Sequence, residues 1–222
     1  MSGAEERSPL LEFADLMRRL RQTCVWKAEQ THASLARHLV EETHEALEAI
    51  EVGERTGDWS SLRDELGDVL LQVYFHAVVA EERGAFTLDD VVAGIHAKMV
   101  RRNPHVFGPQ AGQDLTPDQV NDLWQEAKAQ EKAQASADRG AQQSRPEADD
   151  PAAGLPPGLP ALLWADKVAD RAARAGRPLE VDVAADAPLG ERLLALVLEA
   201  RAAGVDSEQA LRRAVRDHLE AP

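Results

Sequence analysis

Two acid-bearing stretches constrain this chain more than any other feature: Glu41-Glu42-Thr43-His44-Glu45 and Glu65-Leu66-Gly67-Asp68. Both lie in segments whose apolar residues recur with a helical period. At about 100° per residue, Leu35, Ala46, Leu39 and Ile50 form a stripe roughly 60° wide that should face a core. Glu42 falls about 20° from the edge of that stripe and Glu45 about 60° beyond Glu42, with Glu41 further towards the polar side. A carboxylate beside a buried stripe has to be paired, protonated or bound to a metal, because burying it bare is costly. No Lys or Arg lies between Val40 and Glu54 to supply local pairing. The second stretch opens a segment whose middle, Val69 to Val79, carries little polar surface, which predicts a central, buried helix. Glu65 and Asp68 sit one turn apart at its start.

Two helices that each place acids at a core boundary can converge on one point. Four carboxylates, Glu42, Glu45, Glu65 and Asp68, with no sulfur and no obligatory histidine, describe a site for a hard divalent cation, Mg²⁺ or Mn²⁺. The competing reading is a pair of solvated acidic surfaces.

Further residues fall into place around these. Lys98, Arg101 and Arg102 are spaced i, i+3 and i+4 and share one face of a later helix, a geometry suited to phosphate oxygens. Basic residues at a helix C-terminus also occur for purely structural reasons. Trp26 can stack on a base, and Gln30, Thr31 and His32 can hydrogen-bond to one; Trp26 is equally suited to packing on the core. Trp59 and Trp124 read as core anchors, and His44, His76 and His96 as structural side chains. Cys24 is the one cysteine, so no intrachain disulfide forms, which fits a reducing cytoplasm.

With 44% hydrophobic residues, 4% aromatics and abundant Ala and Leu, helix packing is expected over sheet. The net charge of −14 leaves no basic footprint for nucleic acid. Met1 to Ser8 are polar and acidic, without the basic and apolar regions of a secretion signal. The apolar run after Val69 is broken by Gln72 and His76 and falls short of a membrane span.

Along the chain, Ser8-Pro9 starts a helix ending near Arg21, and a loop is expected from Thr23 to Gln30. Thr31 or Ser34 caps the acidic helix, and Asp58 caps the central one. Thr87 with Asp90 opens the helix that Asn103-Pro104 ends. Thr116-Pro117-x-Gln119 is a capping box before a short helix. Residues 134–158 turn to Ala, Gln, Ser, Asp, Pro and Gly, the composition of a disordered linker. Three helices are expected in 159–222, with an irregular stretch from Arg177 to Pro188.

Taken in order, Gln30-Thr31-His32-x-Ser34-Leu35, Glu-Glu-x-x-Glu, Glu-x-x-Asp, Gly67-Asp68-Val69-Leu70-Leu71-Gln72 and Lys98-x-x-Arg101-Arg102-Asn103-Pro104-His105-Val106-Phe107 resemble the MazG-type nucleoside triphosphate pyrophosphohydrolases. The resemblance covers about residues 10–133. It implies a four-helix-type all-α bundle and Mg²⁺-dependent hydrolysis of a nucleoside triphosphate between the α and β phosphates. It implies metal binding by Glu42, Glu45, Glu65 and Asp68, activation of water by Glu41, and a homodimer or larger assembly. Lys98, Arg101 and Arg102 would take the β and γ phosphates; Trp26, Gln30 and His32 would contact base or sugar. The expected role is clearing nucleotide pools. The family's usual Cys-Pro-Trp-Asp loop is here Cys24-Val25-Trp26-Lys27, a departure that bears on base preference. Laying Gly190-Glu191-Arg192 over Gly67-Asp68-Val69 puts Pro188 at the position of Glu65, so 159–222 resembles a second module whose acidic site is lost. The chain is thus expected to comprise a catalytic module over 1–133, a linker over 134–158 and a degenerate module over 159–222. Two alternatives stand: phosphoribosyl-ATP pyrophosphohydrolase, which shares these acidic helices, and a catalytically silent helical partner.

Overall fold

The structure, a computed structural model, describes residues 7–138, 150–181, 184 and 187–220. It is all-α and divides into two compact units, Met1–Gln134 and Ala135–Pro222. In the first unit the helices are α1 (Pro9–Thr23), α2 (Val25–Glu29), α3 (His32–Thr56), α4 (Ser60–Glu81), α5 (Leu88–Arg102), α6 (Pro104–Phe107) and α7 (Pro117–Asp138). The last of these runs on to Asp138, past the point where the linker was expected to begin. The middle of that expected linker, 139–149, lies outside the described residues.

Local chemistry sets the helix ends. Thr31 caps α3 and Ser34 completes the box: the Thr31 Oγ1 accepts from the Ser34 amide at 3.2 Å, and the Ser34 Oγ accepts from the Thr31 amide at 2.9 Å. Gly57 ends α3 with φ +77°, a backbone conformation in which a β-carbon would be strained. Thr87 and Asp90 form the same reciprocal box on α5, and Thr116 with Gln119 on α7. The N-cap of α4 is Trp59 rather than Asp58, but the Asp58 carboxylate still accepts from the Ser60 amide at 2.9 Å. That bond holds the Asp58 carboxyl below its usual range.

The turn at Gly57–Trp59 folds α3 and α4 into an antiparallel hairpin, the backbone of the unit. Its core sits where α3 begins and α4 ends: Met17 and Ala14 from α1 meet Leu35, Tyr74, Phe75, Val78 and Val79. Towards the turn this packing thins. Leu39, Ile50, Leu66, Leu70 and Val73 are exposed, so only the second half of α4 is the buried central helix that its composition implied. The reason is reach: α1 packs against the far end of the hairpin and leaves the acid-bearing end open. Nor are Trp59 and Trp124 core anchors. Trp59 is 44% exposed and lies flat on the backbone of Gly53, where a β-carbon would come within 2.4 Å of its ring. Trp124 is half-buried and covers the Arg102 guanidinium, 5.0 Å from its ring centroid.

Two further differences concern length. Residues 25–29, expected as loop, form the short helix α2, and the helix after Thr116 is 22 residues long rather than short.

In the second unit α8 (Ala161–Arg174), α9 (Leu189–Ala202) and α10 (Ser207–Glu220) pack around Val168, Ala169, Ala172 and Val197. Arg201 on α9 ties back to Asp166 and Asp170 on α8. The Arg171 guanidinium donates to the Ala153 carbonyl at 2.7 Å, so the end of the expected linker is pinned to α8. Parts of the stretch read as irregular, 182–183 and 185–186, lie outside the described residues. No described helix is long and apolar enough to cross a membrane.

Candidate metal centre and its surroundings

The open end of the α3–α4 hairpin gathers the acids. Glu42 and Glu45 lie one turn apart on α3, and Glu65 lies near the start of α4. Each offers a carboxylate oxygen, and these atoms all fall within 4.8 Å of one another. Burial raises the Glu42 carboxyl above its ordinary range, and the charge of Asp68, a hydrogen bond to Glu45 and the charges of Glu45 and Glu65 add to it. Glu65 is raised by burial and then by the charges of Glu45 and Asp68. Asp68 is outside the three-way group but close enough to act on both. Among the described residues no Lys or Arg pairs with any of the four. Like charges converge here with no protein cation to offset them, and the donor set is oxygen only. Such a group offers the oxygen ligands that a hard divalent ion takes.

Glu41 stands apart from this group. Its carboxylate meets the Nδ1 of His38 at 3.0 Å and is largely exposed.

The basic residues of α5 are engaged elsewhere. The Arg101 Nε donates to Glu131 on α7 at 2.7 Å, and the Arg102 Nε donates to the other oxygen of the same carboxylate at 3.0 Å. Arg102 and Glu131 are both largely buried, whereas Arg101 is half-exposed. Glu131 is held below the usual carboxylate range, first by the hydrogen bond from Arg102. Lys98 is half-buried and has no ion pair among the described residues.

The expected base contacts cluster on α2 and its exit. Trp26 is 53% exposed, with the Lys27 ammonium 5.5 Å from its ring centroid. The Gln30 side chain is turned inward: its amide donates to the Trp26 carbonyl at 2.9 Å, and its oxygen accepts from the Ser34 hydroxyl at 2.8 Å. His32 meets His76 of α4. Beneath α2 the buried Arg21 clasps the Glu82 carboxylate, Nε to Oε1 at 2.8 Å, and donates to the carbonyls of Lys27 and Gln30.

Glu131 and Arg21 are thus structural partners that sequence reading did not single out, and His76, read as structural, has in His32 a partner that it did not name. Glu131 had no motif to mark it. Arg21 ends an unremarkable amphipathic helix. His76 had a signal, since it falls two turns beyond Asp68 on the same side of α4.

An oxygen-only acidic cluster on a helical hairpin is suited to hold a divalent cation, which could assist hydrolysis of an anionic substrate. Residues 30–107 match the MazG nucleotide pyrophosphohydrolase domain. Over 231 aligned residues the chain is 35% identical to a Thermotoga maritima protein named nucleoside triphosphate pyrophosphohydrolase/pyrophosphatase MazG, covering 94% of this chain and 82% of that one. It is 39% identical to an uncharacterized 26.1 kDa protein of Streptomyces cacaoi, covering 96% of this chain and 80% of the relative. Identity to the nucleoside triphosphate pyrophosphohydrolase of Escherichia coli K12 is also 39%, over 72% of this chain and 56% of that protein. The chain belongs to the MazG nucleotide pyrophosphohydrolase family, hydrolases that act on acid anhydrides.

Proposed function

We propose that this protein hydrolyses nucleoside triphosphates between the α and β phosphates, releasing a nucleoside monophosphate and pyrophosphate, with Mg²⁺ held by Glu42, Glu45, Glu65 and Asp68. The observation that carries this reading is the approach of Glu42, Glu45 and Glu65 to within 4.8 Å with no neutralising Lys or Arg among the described residues. A divalent ion bound there supplies charge neutralisation on the phosphates and a more acidic water. Glu41, exposed and hydrogen-bonded to His38, would orient the attacking water and take its proton. Lys98 and Arg101 take the β and γ phosphates, with Arg102 beside them. Trp26 and His32 contact the base, and Gln30 shapes their support. The role is removal of excess or unwanted nucleotides in the cytoplasm. Residues 159–222 are a second module that has lost its acids.

A homodimer accompanies this reading. Helix α5 has no buried residue, and Val91, Val92, Ile95 and Met99 are exposed along it. A second copy covering this face would remove the apolar surface from water.

The test is pyrophosphate release from a panel of triphosphates, with and without Mg²⁺. Glu65→Gln is expected to lower kcat/KM by at least about a hundredfold while the fold persists. Release of orthophosphate alone, or turnover indifferent to Mg²⁺, would overturn the assignment.

A further inference from the structure

His32 opens α3 and His76 lies near the end of α4. Their Nδ1 atoms are 2.8 Å apart, the ring planes differ by 4°, and the centroids are 5.1 Å apart. Parallel rings in face contact cannot approach closer than about 3.5 Å. A 2.8 Å nitrogen–nitrogen distance between parallel rings is therefore an in-plane N–H···N hydrogen bond, not a stack. One Nδ1 donates and the other accepts.

The surroundings of His76 decide which. Its Nε2 is buried and has no hydrogen-bond partner among the described residues. Burial lowers its pKa, and the neighbouring His32 adds to this, which favours the neutral ring with its single proton. A proton on Nε2 would be a buried N–H with nothing to donate to, and such orphan donors are rarer than bare acceptors. A proton on Nδ1 has an acceptor waiting. His76 therefore donates from Nδ1 to the Nδ1 of His32. With that lone pair occupied, neutral His32 carries its own proton on Nε2, the free edge of a half-buried ring.

We infer that His76 is a positioning residue that fixes His32 as a hydrogen-bond donor at Nε2, so that the protein favours bases presenting a carbonyl there: 6-oxo over 6-amino purines, and 4-oxo over 4-amino pyrimidines. This rests on the proposed reading of His32 as a base contact. The layout supports it. His32 lies ten residues before Glu42 on α3, about 15 Å along the helix axis, and both ends of that span face α4. A nucleotide lying along the hairpin with its phosphates at the acids would bring its base to His32.

Two measurements on the full-length protein test this. At about pH 8, ¹⁵N NMR should show His32 protonated at Nε2 and bare at Nδ1. The opposite tautomer overturns the inference without any assay. In steady-state kinetics, kcat/KM for ITP over ATP, and for UTP over CTP, should favour the oxo base by about tenfold or more. In His76→Asn the amide can still donate to His32, so the ratio persists. His76→Asp can only accept; it draws the His32 proton to Nδ1, and the ratio should fall to near one or invert. A ratio unchanged in His76→Asp, or unchanged in His32→Ala, overturns the inference. If no triphosphate yields pyrophosphate, the hydrolase reading fails and the base preference fails with it. Pyrophosphate release without an oxo preference overturns the base preference alone.

Discussion

The acids are the residues whose behaviour is easiest to anticipate from physics. Burial and mutual repulsion hold the carboxyls of Glu42 and Glu65 above their ordinary range, so each keeps its proton to a higher pH than a free glutamate near about 4.3. The sign follows. Between the two ranges the folded protein binds more protons than the unfolded chain, so the contribution of these groups to stability falls as pH rises. A divalent ion must displace those protons, and its binding relieves the repulsion that remains. The rise in Tm on adding Mg²⁺ should therefore be larger at about pH 7.5 than at about pH 4.5, within the ordinary glutamate range, with Glu65→Gln flattening the difference. An equal Mg²⁺ shift at both pH values, measured by calorimetry against a chelated control, would show that the acids do not share an ion. These residues were legible in the sequence because carboxylates beside an apolar stripe have few physical explanations. The partners of Arg101 and Arg102 were not. A Glu in the middle of a long polar helix looks like any other until folding brings α7 beside α5.

Among the elements, α2 shows where sequence reading runs out and why. Five residues give too short a window for a helical period to register, and Trp26-Lys27 resembles loop sequence. What holds α2 is non-local: Arg21, 8% exposed along its side chain, reaches from α1 to two backbone carbonyls and to Glu82 at the end of α4. Arg21→Ala should lose about 1.5–3 kcal/mol in denaturant unfolding, the scale for hydrogen bonds to a charged group. It should also raise KM more than it lowers kcat, because the segment carrying Trp26 loosens while the acids stay put. Unaltered KM would dissociate α2 from substrate contact. The longer elements were read well from their ends, where Thr31, Thr87 and Thr116 announce helix starts by local chemistry alone. Their burial was read less well. The apolar middle of α4, Val69 to Val79, implied a buried helix, yet Leu70 and Val73 are exposed, because how far a neighbour reaches is not written in a helix's own sequence.

At the scale of the whole molecule, the exposed side of α5 bears on assembly. A single charge placed in a buried apolar interface is strongly unfavourable, so if two copies pair through α5 as proposed, Ile95→Glu should abolish that dimer in analytical ultracentrifugation. A sedimentation coefficient identical to that of the parent protein would remove α5 from the contact. The acidic balance of the chain, −14 overall, meets a second constraint at Arg101 and Arg102. Their shared grip on Glu131 commits both guanidinium groups in the resting molecule and leaves Lys98, one turn earlier, as the cation of that face without an ion pair among the described residues. A lone orthophosphate offers too little in exchange to prise that carboxylate away. With Arg101 and Arg102 taking phosphates as proposed, a longer polyanion anchored at its other end can trade one set of ionic contacts for another, which would favour a triphosphate over free orthophosphate.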